Sequence, residues 1–134
     1  MNADEYLKLA EVEDRMWYFR SLHAHVAREL ARMRPGGGDV LDAGCGTGGL
    51  ILRLRDANPA WRFAGIDFMP LACELARRRC GEGTDIREAS ITALPFADAS
   101  FDAVVSADVV CQVGNPEVAA AAFMRVLRPG GVVA

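Results

Sequence analysis

The stretch Val40–Gly49 (VLDAGCGTGG) constrains the fold more than any other part of the chain. A short apolar run meets an acid at Asp42, passes through a glycine-rich turn and gives way to a helical pattern near Leu50. Glycines are typical of a place where a strand turns sharply into a helix while a ligand lies against the backbone. A second acid, Asp67, ends the next apolar run. Two acids at successive strand ends, beside an open backbone turn, suit a ligand that carries hydroxyl groups and a positive charge.

Strand and helix patterns alternate along the chain around and after this turn. Strands are predicted at Asp39–Ala43, Arg62–Ile66, Asp85–Ala89 and Ala103–Ala107, with a fifth from Val132 onward. Helices are predicted at Gly49–Ala57, at Pro70–Cys80 and from Asn115 and Pro116 to about Leu127, and Arg128–Gly131 is predicted as the turn into the fifth strand. Strands that alternate with helices indicate a parallel sheet. The predicted fold class is therefore α/β, with a Rossmann-like doubly wound parallel sheet.

An N-terminal helical segment, residues 1–37, is predicted to precede the Rossmann-like domain at residues 38–134. The helical pattern runs from about Ala3 to Met33 in one or two segments, and apolar residues recur there at three- to five-residue steps. The recurring residues are Leu7, Val12, Met16, Phe19, Leu22, Val26 and Leu30. Three consecutive aromatic residues, Trp17–Phe19, cannot all face one core stripe of a helix.

Composition excludes several classes of protein. With 134 residues, 51% hydrophobic and 25% charged, the chain has the make-up of one soluble globular domain. A formal net charge of −3 argues against a general nucleic-acid-binding surface. No run is long enough to span a membrane, and no secretory signal is evident. The four cysteines are scattered, which predicts no metal site and a reduced, cytoplasmic protein. Cys73 and Cys80 are predicted to be core residues, and Arg77–Arg79 to complement a helix dipole.

Four segments together resemble the class I methyltransferases that use S-adenosylmethionine (SAM). VLDAGCGTGG is similar to the first motif of that family, and Gly65–Asp67 to the acidic end of its second strand. Leu94–Phe96 followed by Phe101–Val105 resembles the approach to the fourth strand, and Arg125–Gly131 the turn into the fifth. Each motif alone has weak or moderate specificity, but all four occur in the expected order. The resemblance implies a methyltransferase that transfers a methyl group from SAM to a small-molecule acceptor.

Two alternative functions remain open at this point. Gly44, Gly46 and Gly49 also satisfy the G-x-G-x-x-G pattern of nicotinamide dinucleotide-binding enzymes, with Asp67 near the distance expected of a ribose-binding acid. Against an NAD(P)-dependent oxidoreductase, Asp42 interrupts the apolar strand before the first glycine. The second alternative is a module of the same family that binds SAM without catalysis.

The resemblance also implies where the cofactor contacts the chain. Backbone groups of Gly44, Cys45, Gly46 and Gly48 would line the cofactor, and the missing side chains at Gly44 and Gly46 would let its methionyl part approach closely. Asp42 would hold the glycine motif and the amino-acid end of the cofactor, or serve only as a hydrogen-bonded cap.

The ribose and adenine of the cofactor would be held by residues further along the chain. Asp67 would accept two hydrogen bonds from the ribose hydroxyls, although a cap for the following helix is its competing role. Phe68 and Met69 would pack on the adenine face. Many family members carry an acid four residues before the Leu of LPF, but Ser90 stands there, followed by Ile91. Ser90 and Ile91 are still expected to contact the cofactor, with the Ser90 hydroxyl as a group that could hydrogen-bond to adenine in place of the acid.

Catalytic residues are not identifiable from the sequence. Asp108 would lie near the cofactor, or would stabilise its loop. Gln112 stands where relatives commonly have His and cannot act as a general base, and Cys111 has no identified activating partner. Of the only two histidines, His23 and His25, at most one is expected to face the cleft, because they are two apart on a helix. Methyl transfer from a sulfonium is an in-line displacement, for which positioning and exclusion of water can suffice.

The resemblance further concerns the two ends of the chain. In a subset of small-molecule methyltransferases, an aromatic patch like Trp17–Phe19 lies over the cofactor cleft as part of a lid; docking of the helix on the sheet is the alternative role. Family members continue the sheet through two more strands and another helix beyond the fifth strand. The chain stops at Ala134, so we expect a sequence truncated at its C-terminal end, with the fifth strand as an exposed apolar edge.

Overall fold

A computed structural model describes residues 2–12, 16–106 and 116–133, without the side chains of Tyr18 and Phe19. Five helices and five strands lie in these ranges. The helices are α1 (Ala3–Val12), α2 (Trp17–Met33), α3 (Gly49–Ala57), α4 (Pro70–Cys80) and α5 (Pro116–Val126). The strands are β1 (Gly38–Ala43), β2 (Trp61–Asp67), β3 (Asp85–Glu88), β4 (Phe101–Val105) and β5 (Leu127–Val133).

The strands form one parallel sheet in the order β3-β2-β1-β4-β5. After β1 the chain adds β2 and β3 on one side, then returns to the other side of β1 for β4 and β5. The strand order therefore reverses between β1 and β4, which is the point where ligands bind in open α/β sheets. The predicted Rossmann-like, doubly wound parallel sheet is confirmed.

Helices cover both faces of the sheet because the central strands are apolar on both sides. On one face, Leu30 of α2, Ile51 of α3 and Cys73 of α4 belong to one buried cluster. On the other face, Phe123 of α5 and Leu94 belong to a second cluster. The cysteines at positions 45, 73 and 80 are buried free thiols, so the prediction that Cys73 and Cys80 are core residues is confirmed. None of the helices in the described ranges is long and apolar enough to cross a membrane.

The N-terminal pattern, predicted as one or two helical segments, forms two helices, and the predicted apolar face of the first one is wrong. Val26 and Leu30 of α2 are buried, whereas Leu7 and Met16 are 46% and 44% exposed. The buried residue of α1 is Tyr6, which is 5% exposed. The helix is rotated so that this side chain, rather than Leu7, faces the end of β2, because the Tyr6 hydroxyl finds a hydrogen-bond acceptor there.

The bounds of the last two strands also differ from the prediction. β4 begins at Phe101 rather than Ala103, because Phe101 pairs with Leu127. β4 ends at Val105, and Ala107 lies outside the described residues. β5 begins at Leu127 rather than Val132, so the predicted turn at residues 128–131 lies within the strand. Phe101 pairs with Leu127, and Ala103 pairs with Val132. Between these two pairs β4 advances by two residues and β5 by five, so the pairing is irregular there.

An ion-pair network lies at the amino-terminal edge of the sheet. Arg62 donates two hydrogen bonds to Asp39, and Arg128 contacts both Asp39 and Asp102 at 2.9 Å. Asp102 also accepts hydrogen bonds from Arg34 and from the backbone N–H of Asp39. Hydrogen bonds from Arg62, and secondarily from Arg128, lower the pKa of Asp39 against the opposing effect of burial. This network connects the end of α2 to the starts of β1, β2, β4 and β5.

Candidate functional site

The glycine-rich turn between β1 and α3 has a backbone that few other residues could adopt. Gly44, Gly46 and Gly48 have φ angles of 86°, 53° and 88°, in the left-handed region that favours glycine. The N–H groups of Gly44 and Cys45 both donate to the carbonyl of Ile66, each at 2.8 Å. These bonds fasten the turn to the carboxyl end of β2, next to Asp67.

The carboxylate of Asp67 lies beside the turn and is 6% exposed. Its Oδ2 accepts a hydrogen bond from the backbone N–H of Gly46, and its Oδ1 one from the N–H of Met69, both at 3.0 Å. Two backbone donors from different loops therefore fix the orientation of the carboxylate. The carbonyl of Asp67 accepts from the N–H of Ala89 at 2.9 Å, which brings the segment after β3 to the same edge. The predicted glycine turn and the predicted ribose-binding acid are thus brought together.

Helix α1 covers this part of the site. The hydroxyl of Tyr6 donates to Oδ1 of Asp67 at 3.3 Å. Burial, followed by the charge and hydrogen bonding of Asp67, raises the pKa of Tyr6 to about 12. The hydroxyl therefore keeps its proton at neutral pH and acts as a donor. A Cβ placed on Gly46 would meet Leu9 at 4.0 Å, so α1 lies over the glycine turn as well as over the acid.

Asp42 and Cys45 are buried side chains, as Asp67 is. Asp42 is 2% exposed and pairs in the sheet with Gly65 and Val105, between the two strands that flank β1. Burial, and secondarily the charges of Asp42 and Asp67, raise the pKa of the Cys45 thiol far above its ordinary value. Cys45 therefore stays protonated, so it has no thiolate to offer as a nucleophile, and its backbone remains the part that can serve a ligand.

Gly48 has a packing role that the sequence did not indicate. A Cβ at this position would come within 2.8 Å of Cys80 Sγ and 3.4 Å of Ala76 on α4. Its positive φ and this close approach both require glycine. Contact between Gly48 and a cofactor stays a prediction.

The residues predicted to hold adenine are divided between surface and core. Phe68 is 64% exposed and directly follows Asp67, whereas Met69 is partly buried. The hydroxyl of Ser90 is engaged by Thr92 Oγ1 at 2.7 Å and by the Thr92 N–H at 3.1 Å. The side chain of Ile91 is 5% exposed within the second core cluster. Phe68 thus has the accessible ring among them, and Ile91 has only backbone groups to offer.

Arg79 is a residue of this site that the sequence reasoning missed. Its guanidinium donates to the Thr47 carbonyl at 3.2 Å and to Thr47 Oγ1 at 2.9 Å, and so holds the glycine-rich turn from α4. Its neighbours behave differently: Arg78 pairs with Glu74, and Arg77 donates to the Ile86 carbonyl. Arg79 follows the buried Ala76 by three residues, so helical phase could have distinguished it from Arg78.

The remaining candidates fall elsewhere. Asp108, Cys111 and Gln112 lie outside the described residues. His23 is 6% exposed and lines a groove of about 690 Å³ between α2 and α3, whereas His25 is exposed. Within the described ranges, no three His, Cys, Asp or Glu side chains converge as a metal site would need.

Comparisons with known proteins agree with this geometry. Residues 41–134 match the family described as "Methyltransferase domain". A demethylmenaquinone methyltransferase of Thermus thermophilus is 40% identical over 95 residues, which are 69% of this chain and 43% of that protein. A probable S-adenosylmethionine-dependent methyltransferase of Mycolicibacterium smegmatis is 37% identical over 120 residues, 90% of this chain and 44% of that protein. The chain thus spans less than half the length of these relatives.

The fold is shared with solved structures of the same class. A protein from Methanococcus maripaludis, assigned as an S-adenosyl-L-methionine-dependent methyltransferase, superposes with a TM-score of 0.84 at 19% sequence identity. That superposition covers 96% of this chain and 61% of the other. Taken with the glycine turn and the anchored acid at the end of β2, the sequence match over residues 41–134 shows that the chain belongs to the methyltransferase domain family.

Proposed function

We propose that this chain binds SAM and transfers its methyl group to a small-molecule acceptor. The observation that carries the proposal is the Asp67 carboxylate, which two backbone N–H groups hold in place beside the glycine-rich turn. A carboxylate fixed by backbone donors has acceptor positions left for a vicinal diol, which the ribose of SAM would supply.

The rest of the turn suits the other parts of the cofactor. Gly44 and Gly46 have no side chains to exclude a methionyl chain from the backbone, and the buried Asp42 lies at the end of β1 nearby. The exposed ring of Phe68 follows Asp67 directly and would pack on adenine. These residues would hold the cofactor across the carboxyl ends of β1 and β2.

When bound, SAM supplies an electrophilic methyl group on a sulfonium, so the protein's own task is to position an acceptor and exclude water. Arg79 and the Ile66 carbonyl contribute by holding the turn rigid. Without the cofactor, helix α1 covers the turn and the acid. We assign no catalytic base.

The nature of the acceptor is proposed from the relatives. The Thermus thermophilus relative is named for demethylmenaquinone, and a relative from Hahella chejuensis is named for malonyl-[acyl-carrier protein]. Both are small molecules or small groups on a carrier, so we propose a small-molecule acceptor and no nucleic acid. The cytoplasmic location stays a prediction from the sequence.

Two measurements test this proposal. S-adenosylhomocysteine, the product form of the cofactor, should raise the melting temperature of the chain, and NAD should not. Incubation with methyl-labelled SAM and demethylmenaquinone, or with other small acceptors, should then transfer label. Stabilisation by NAD alone would support the oxidoreductase alternative. Binding of S-adenosylhomocysteine without transfer of the methyl label to any acceptor would support the non-catalytic module.

A further inference from the structure

The acceptor positions of Asp67 can be counted. An ionised carboxylate offers about four lone-pair positions, two on each oxygen. The N–H groups of Gly46 and Met69 take one position each. Two positions remain, which is the number that a vicinal diol needs. The hydroxyl of Tyr6 takes one of these two. A ribose bound through both hydroxyls therefore competes with Tyr6 for the same oxygen.

The Tyr6 bond is the weakest of the three. Its length of 3.3 Å exceeds the 2.5–3.0 Å that is usual for an O–H···O hydrogen bond. The two backbone bonds, at 3.0 Å, lie within the usual range for N–H···O. The backbone donors are also part of fixed loops, whereas Tyr6 belongs to a helix that precedes the sheet. A diol that binds Asp67 should therefore displace the Tyr6 hydroxyl and leave the two backbone hydrogen bonds in place.

Helix α1 is well placed to move when this bond is lost. It has ten residues, and Tyr6 is its buried residue. An isolated helix of that length is marginally stable in water, so its position depends on tertiary contacts such as this one. The partly buried Leu9 lies over Gly46, where the methionyl part of the cofactor would approach. One short helix thus lies over both Asp67 and the glycine turn, where the ribose and the methionyl part of the cofactor would bind.

We propose that Tyr6 is an exchange residue of the cofactor site, whose hydroxyl occupies a ribose position on Asp67 and leaves it when the cofactor binds. Release of Tyr6 frees α1 from the glycine turn, so cofactor binding is coupled to opening of the mouth of the crevice. This inference rests on the proposed function, because it requires a ligand with a vicinal diol at Asp67.

The first test compares the wild-type chain with Tyr6→Phe in a calorimetric titration with S-adenosylhomocysteine. Phenylalanine keeps the ring in its place and removes only the competing hydroxyl, so we expect binding about fivefold tighter, as for loss of one weak hydrogen bond. Leu7→Ala, at an exposed position of the same helix, is the matched control and should bind like wild type. Circular dichroism checks that each variant is folded.

Hydrogen exchange gives a second readout that packing alone would not produce. On addition of S-adenosylhomocysteine, amides of residues 3–12 should exchange faster while those of residues 44–48 exchange more slowly. Equal or weaker binding by Tyr6→Phe, or slower hydrogen exchange in α1, would contradict the displacement of Tyr6 while leaving the proposed function intact. Absence of binding by both folded proteins would instead contradict the proposed function and the exchange role with it.

Discussion

Carboxylates at the amino ends of the strands (the amino-terminal edge) and at their carboxyl ends (the carboxyl edge) have different kinds of partner. At the amino-terminal edge, Asp39 and Asp102 are paired with the guanidinium groups of Arg34, Arg62 and Arg128. At the carboxyl edge, the partners of Asp67 in the described part of the chain are two backbone N–H groups and a tyrosine hydroxyl, none of which carries a positive charge.

We propose that this difference separates acids that stabilise the fold from the acid that binds the cofactor. A carboxylate that is paired with arginines has its charge balanced within the protein and its acceptor positions filled. A carboxylate held only by neutral donors keeps its charge for a ligand, and neutral donors can be exchanged for the hydroxyls of a ligand. Ion pairs at one edge therefore serve stability, and neutral hydrogen bonds at the other edge suit binding.

Replacing the acid at the carboxyl edge should have the largest effect on cofactor affinity. Asp67→Asn keeps the shape and one carbonyl oxygen but loses the charge and half of the acceptor capacity. We expect a loss of about 2 kcal/mol of binding free energy for S-adenosylhomocysteine, roughly thirtyfold in Kd. Calorimetry measures the affinity. An unchanged Kd would remove Asp67 from the site.

The matched replacement at the opposite edge should act on stability instead. Asp102→Asn removes the charge that pairs with Arg34 and Arg128, and the side chain is 15% exposed. We expect a loss of about 1.5 kcal/mol of unfolding free energy, with unchanged affinity for S-adenosylhomocysteine. Urea denaturation measures the first quantity and calorimetry the second. Weakened binding of S-adenosylhomocysteine by a folded Asp102→Asn variant would contradict the claim that Asp102 acts on stability alone.

The brace between α4 and the glycine turn should have a smaller effect. Arg79→Gln removes the bonds to Thr47 and loosens the turn, which should cost about 1 kcal/mol of cofactor affinity. Arg78→Gln on the exposed side of the same helix is the control and should leave the Kd unchanged. If Arg78→Gln and Arg79→Gln weaken binding equally, the effect comes from net charge rather than from the brace.

Acid titration should reveal the smallest effect. The pKa of Asp39 is lowered in the folded protein by Arg62 and Arg128, so its ion pairs stabilise the fold above its unfolded pKa of about 3.9. That contribution is lost as the pH falls through the lower pKa of the folded state. The stability difference between wild type and Asp39→Asn, measured by denaturation from pH 7 to pH 3, should therefore shrink below about pH 4. A difference independent of pH would mean that the ionised form contributes nothing.

Much of the fold, and the segments that form the candidate site, could be predicted because their signals are local. The glycine turn is encoded in ten consecutive residues, Asp67 ends an apolar run, and the strand pattern led to the correct sheet. The irregular pairing of Phe101 and Leu127 could not be predicted, because it depends on how β5 meets β4 in space.

Tyr6 and Arg79 escaped prediction for a similar reason. Tyr6 meets Asp67 across 61 positions of sequence, and Arg79 meets Thr47 across 32. The apolar periodicity of α1 favoured Leu7 as the inward residue, but a hydrogen bond to a buried carboxylate decided the rotation of the helix. Helical phase indicates that Arg79 lies nearer the buried face of α4 than Arg78 does, but no pattern in the sequence identifies Thr47 or Asp67 as a partner.

The most direct test of the division between the two edges is one calorimetric experiment on three folded proteins: wild type, Asp67→Asn and Asp102→Asn. Each is titrated with S-adenosylhomocysteine, and wild type also with NAD. We predict that wild type and Asp102→Asn bind the homocysteine compound equally, that Asp67→Asn binds it roughly thirtyfold more weakly, and that NAD does not bind. Two results would contradict the assignment of the carboxyl edge as the cofactor site. One is a folded wild-type chain that does not bind S-adenosylhomocysteine, and the other is an Asp67→Asn variant that binds it as tightly as wild type does.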